Sequence, residues 1–93
     1  MDKIAAWRGM TESHGFRVEV YRDATVGVFV AQIQTSSPAL IPQHIPGTPI
    51  SMMEFDDPEE LKHKELNHLR EIAKQRIASR CGKILHFSEN DAL

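Results

Sequence analysis

Two neighbouring segments in the first third of the chain alternate apolar and polar residues. In residues 16–22, Phe16, Val18 and Val20 alternate with polar side chains, as in a strand with one buried face. Residues 26–34 are apolar on both faces over their first half, which is typical of an interior strand. A polar turn separates the two segments, so the pattern predicts an antiparallel hairpin. Weaker alternation predicts a third strand over residues 50–55 and a short final strand over 83–87.

A helical period follows this strand region. Asp57 suits an N-cap, Pro58 the first helical position and Glu60 a capping pair, while Gly82 suits the residue after a helix end. The pattern predicts a helix over residues 58–81, with an apolar arc that contains Leu61, Leu66, Leu69, Ile72, Ala73 and Ile77. A helix of about 24 residues is about 36 Å long, so we expect its C-terminal part to extend beyond a shorter sheet.

The remaining segments carry weaker signals. Residues 1–14 predict a short helix or a flexible arm, residues 35–49 a Pro-rich loop and residues 88–93 a polar tail. The expected fold of residues 1–93 is a single small α+β domain. It has a three- or four-stranded antiparallel sheet in β-β-β-α order, with one long C-terminal helix packed on one face.

Composition limits the class of protein. Hydrophobic residues make up 41% of the 93 residues and charged residues 26%, as in a globular domain, and the net charge is -2. The one cysteine excludes a disulfide within the chain. Because no apolar run is long enough for a membrane span or a signal peptide, we expect a cytoplasmic protein with no membrane contact.

Candidate chemistry is sparse along the chain. His63 and His68 would lie about 140° apart on the predicted helix, which favours two solvated side chains over a metal site. Cys81 and His86 lack a third metal ligand and the neighbours of known nucleophile motifs. We therefore expect no catalytic residues, no metal and no cofactor. A small enzyme built around Cys81 and His86 remains the least favoured of three hypotheses.

Two features indicate a contact surface. The predicted helix ends in a cationic stretch, which either complements the helix dipole or contacts an acidic partner. The Pro-rich loop contains apolar residues that cannot all be buried. The first hypothesis is a non-enzymatic protein that regulates or inhibits a protein partner by direct contact, as a monomer or a homodimer. The expected contact residues are Leu40, Ile41, Ile45, Arg70, Lys74, Arg76, Ile77 and Arg80. The alternative is a nucleic-acid-binding regulator that uses the basic end of the helix.

Three short segments resemble small bacterial antitoxins of the HicB type. They are residues 27–31 (GVFVA), 45–47 (IPG) and 57–61 (DPEEL). The resemblance implies a dimer that binds a toxin by protein contact and has no catalytic residues. The stretch between Phe29 and Gly47 is longer than in that pattern, and Phe55-Asp56-Asp57 replaces the usual Gly-Asp-Thr. We therefore do not assign the chain to that family.

Overall fold

A computed structural model describes residues 1–36 and 54–89 of the chain. Its five strands form one antiparallel sheet in the order β4-β3-β2-β1-β5, and a single helix packs on one face. The elements in chain order are β1 (Asp2–Thr11), β2 (Gly15–Asp23), β3 (Val28–Thr35), β4 (Glu59–His63), α1 (Leu66–Cys81) and β5 (Ile84–Ser88). The α+β class is confirmed, but the sheet has five strands, not three or four.

The predicted N-terminal helix or flexible arm is wrong, because these residues form β1 between β2 and β5. Trp7 and Gly9 lie opposite Val18 and Phe16 of β2, on the face that the helix covers. We call this face the inner face and the opposite one the outer face. A register shift at Ile4 interrupts the alternation, which hides the strand pattern in the sequence.

The hairpin of β2 and β3 is confirmed. Eight consecutive residue pairs join the two strands, from Phe16 opposite Thr35 to Asp23 opposite Val28. Gly27 has a φ of 70°, a conformation that favours glycine, and its amide donates to the Asp23 carbonyl at 2.9 Å. The turn therefore extends to Gly27, beyond the predicted polar turn, and β3 begins at Val28 rather than at residue 26.

The predicted helix over residues 58–81 is too long at its start. Glu59–His63 pairs with β3 as a strand, and α1 begins only at Leu66. Its 16 residues correspond to about 24 Å, so the predicted extension beyond the sheet is also wrong. The predicted end at Gly82 is confirmed: this residue has a φ of 90° and donates its amide to the Ala78 carbonyl at 3.0 Å.

The core lies between α1 and the inner face. The helix contributes three fully buried side chains that lie on a single stripe, Leu69, Ala73 and Ile77. Strands β1 to β3 supply Trp7, Phe16, Val18, Val20, Ala31 and Ile33. Burial of this apolar stripe, rather than helix propensity, stabilises a helix of this length.

The described residues include only parts of the other predicted segments. The predicted final strand is confirmed as β5, which includes Ser88 of the predicted tail. The predicted strand over 50–55 and the loop over 35–49 lie mostly outside the described residues. Thr35 ends β3, Ser36 forms an isolated antiparallel bridge with Phe55, and residues 90–93 are also outside the described part.

Candidate functional site

Four residues hold together the chain on either side of residues 37–54. Ser36 bridges Phe55, and the Asp56 amide donates to the Thr35 carbonyl at 2.8 Å. The Thr35 hydroxyl donates to Asp56 Oδ2 at 3.3 Å. We call Thr35, Ser36, Phe55 and Asp56 the clasp. It places Ser36 and Phe55, which flank this segment in the sequence, side by side at the end of β3.

The clasp is anchored to β2 on two sides. Ser36 is fully buried, and its Oγ accepts the Gly15 amide at 2.8 Å while its own amide donates to the Gly15 carbonyl at 2.9 Å. Arg17 stacks on the Phe55 ring, with its guanidinium carbon 4.4 Å from the ring centroid. These contacts join the clasp to the sheet.

Cys81 lies beside the clasp at the end of α1. Burial raises the pKa of its thiol, and the positive charge of Arg80 and a hydrogen bond with Thr35 oppose that rise more weakly. The thiol is thus kept protonated, as in a structural cysteine rather than a reactive one. Its described contacts do not include His86, which lies opposite Met10 in β5.

On one flank of α1, two predicted contact residues face aromatic rings. Arg70 pairs with Glu89 and lies 5.6 Å from the Trp7 ring centroid. Lys74, one helical turn later, lies 4.5 Å from the centroid of Phe87. This flank fastens the helix to β1 and β5 through cation–π contacts.

On the other flank, two further predicted contact residues share one carboxylate. Arg76 Nη1 lies 2.8 Å from Glu59 Oε2, and Arg80 Nη1 lies 3.0 Å from Glu59 Oε1. Both arginine side chains are almost half exposed, at 47% and 45%. This flank fastens the helix to the edge strand β4 and leaves one cation in excess over the acid.

The other predicted contact residues have different positions. Ile77 is fully buried in the core rather than on the surface, because it lies on the apolar stripe of α1 with Leu69 and Ala73. The prediction that it forms a partner surface therefore does not fit its position. Leu40, Ile41 and Ile45 lie outside the described residues.

The two central histidines come together, contrary to the predicted separation on one helix. His63 ends β4 and His68 lies in the first turn of α1, with ring centroids 5.0 Å apart. The Glu65 amide donates to His63 Nδ1 at 2.9 Å, and the Glu65 carboxylate lies 3.1 Å from His68 Nδ1. The pair holds the connection between β4 and α1. Over residues 1–36 and 54–89, no group of three or more His, Cys, Asp or Glu side chains is arranged to hold a metal ion.

The outer face carries a polar pair that sequence reasoning missed. The Tyr21 hydroxyl donates to Glu19 Oε2 at 2.6 Å, which lowers the pKa of Glu19 and raises the pKa of Tyr21. The residues are two apart on one strand, so strand alternation is the signal that places them on one face. The clasp had no comparable signal, since its halves are separated by residues 37–54.

Comparisons with protein-family models, with curated proteins and with solved structures find no match to this chain. In the part of the chain that the structure describes, no helix combines the length and the apolar character needed to cross a bilayer.

Proposed function

We propose that this chain is a small, non-enzymatic binding protein that regulates or inhibits a protein partner by direct contact. The observation that carries the proposal is the clasp. It joins the residues that flank 37–54, a segment whose sequence includes Leu40, Ile41 and Ile45 between prolines. Binding segments held by a rigid scaffold are a common way to build a recognition surface.

The cations of α1 form a secondary contact surface in this proposal. Arg76 and Arg80 remain almost half exposed around Glu59, so they can still meet an acidic group of a partner. Arg70 and Lys74 are engaged by Glu89 and by aromatic rings. We propose Arg76 and Arg80 as secondary contacts and the segment around Ile41 as the primary one. We further propose a cytoplasmic location, since the one cysteine is a free, buried thiol.

The alternative function is nucleic-acid binding through the basic end of α1. Arg76 and Arg80 favour it by their exposure, but their shared pairing with Glu59 reduces the charge that they offer to phosphates. This alternative predicts binding that weakens steeply as salt concentration rises. Fluorescence anisotropy with a labelled duplex and a labelled single strand tests it directly.

Position-resolved photo-crosslinking tests the main proposal. Ile41 or Ile45 is replaced by a photo-reactive amino acid, and Gln75, exposed on α1, is replaced in a matched control. Each variant is irradiated in cells of the source organism, and the adducts are identified by mass spectrometry. The proposal expects one protein adduct from positions 41 and 45, confirmed with the purified partner, and none from position 75. Nucleic-acid adducts, or equal adducts from all positions, would overturn it.

A further inference from the structure

The two edges of the sheet differ in regularity. Among the described residues, β4 and β5 are the outermost strands, and the outward N–H and C=O groups of an edge strand are available to another strand. The β5 strand has a register shift against β1 next to Leu85. In contrast, β4 pairs with β3 through consecutive residues from Glu59 to His63 without a shift. The straight edge is therefore β4.

The sequence of β4 is complementary to its own reversed copy. When two antiparallel copies meet about a twofold axis at Leu61, Glu60 of one copy lies opposite Lys62 of the other, twice. Leu61 lies opposite Leu61, and Glu59 lies opposite His63. Directly opposed unlike charges stabilise a strand pair, whereas opposed like charges destabilise it.

The side chains concerned are available for this pairing. Glu60 and Lys62 lie on the outer face with side chains 44% and 61% exposed, and they contact each other at 3.6 Å within the chain. Leu61 is half-buried on the inner face and packs against the core. A second Leu61 across the edge would extend the apolar layer from one copy to the next.

We propose that two copies of this chain associate through antiparallel pairing of their β4 strands, with a twofold axis at Leu61. The two sheets then form one continuous sheet, and both helices lie on the same face. A second copy adds two Glu60–Lys62 pairs between the chains to the contact within each chain, and an uncharged strand adds none, so the edge fits a second copy better than a general peptide. This inference is independent of the proposed protein partner.

Charge reversal tests the dimer. Light scattering on size exclusion is expected to give twice the 10.5 kDa chain mass for the wild type across a dilution series. Glu60→Lys and Lys62→Glu each oppose like charges at both pairs, so each variant alone is expected to be a monomer. An equimolar mixture of the two variants opposes unlike charges again and is expected to restore a dimer containing one copy of each.

Matched controls separate this effect from a general change in charge. Glu71→Lys and Lys83→Glu make the same charge changes at exposed positions outside β4, and both are expected to remain dimeric. Circular dichroism establishes that the monomeric variants are folded. A wild type that is monomeric at all concentrations would overturn the proposal, as would single variants that stay dimeric. Failure of the mixture to form a heterodimer, when both variants are folded monomers, would overturn it too.

Discussion

Arg80 Nη1 lies 3.0 Å from Glu59 Oε1. Local sequence signals instead place both residues in one helix, in which a separation of 21 residues corresponds to about 32 Å. Glu59 instead begins β4, and α1 turns back along the sheet so that its last turns meet it. Because of this contact, the cationic end of α1 attaches the helix to the edge strand β4 and does not project beyond the sheet.

Removal of the Glu59 carboxylate should loosen the flank of α1 that carries Arg76 and Arg80. In Glu59→Gln, both arginines lose their charged partner, and we expect the free energy of unfolding to fall by about 1 kcal/mol, since partly exposed ion pairs contribute little each. Urea denaturation measures the change. Glu71→Gln, on the exposed surface of the same helix, is the control and should have almost no effect. Equal stabilities of the two variants would contradict the fastening role.

Ile77 should behave as a core residue. We expect Ile77→Ala to lower the free energy of unfolding by about 2–5 kcal/mol, because a fully buried side chain leaves a cavity when truncated. The half-buried Ile72 on the same helix provides the comparison, and Ile72→Ala should cost less. If Ile77→Ala left stability unchanged but altered an interaction with another protein, Ile77 would be a surface residue after all.

Gly9 allows β1 and β5 to approach closely. A Cβ at this position would overlap the His86 carbonyl oxygen and lie 2.6 Å from Phe16 Cζ. We expect Gly9→Ala to cost about 1–3 kcal/mol and to speed amide hydrogen exchange in β5. Gly27→Ala is the comparison: its Cβ meets nothing within 4 Å, so only the backbone conformation is strained and β5 should keep its protection. Unchanged exchange in β5 of Gly9→Ala would contradict the close approach.

Cys81 should react slowly in the native state. Burial raises the pKa of its thiol, so at pH 7 we expect alkylation slower than that of a free thiol by on the order of tenfold or more. Because the pKa of the native thiol is raised, the stabilising contribution of the buried, protonated Cys81 thiol is complete at neutral pH. This contribution is lost as pH rises through the native pKa. Because the chain has one cysteine, mass spectrometry reports this site alone. Rapid alkylation of folded protein would show an exposed thiolate instead.

The sequence predicted the parts of the fold whose patterns are local and complete. Phe16, Val18 and Val20 alternate without interruption, and the stripe from Leu69 to Ile77 has helical spacing, so β2 and the core of α1 were predictable. β1 was not, because the small residue Gly9 and the shift at Ile4 obscure its alternation.

Tertiary pairing decided the elements that were wrongly predicted. Asp57, Pro58 and Glu60 satisfy the local preferences of a helix start. Residues 59–63 nevertheless pair with β3 as a strand, in which Leu61 is partly buried. The clasp depends on Ser36 and Phe55, which are distant in sequence and carry no shared pattern. Glu59 and Glu89 are likewise distant in sequence from the arginines of α1 that they contact. The sequence alone therefore did not reveal these ion pairs.

The most direct measurement asks whether the clasp controls partner contact around Ile41. Photo-crosslinking from position 41 is compared between the otherwise native chain and a chain that also carries Asp56→Ala, which removes the carboxylate bonded to Thr35. A matched Asp57→Ala chain changes the exposed neighbouring acid. We expect a strong protein adduct that falls several-fold with Asp56→Ala and persists with Asp57→Ala, while circular dichroism stays unchanged. An adduct insensitive to Asp56→Ala, or no protein adduct from position 41, would contradict it.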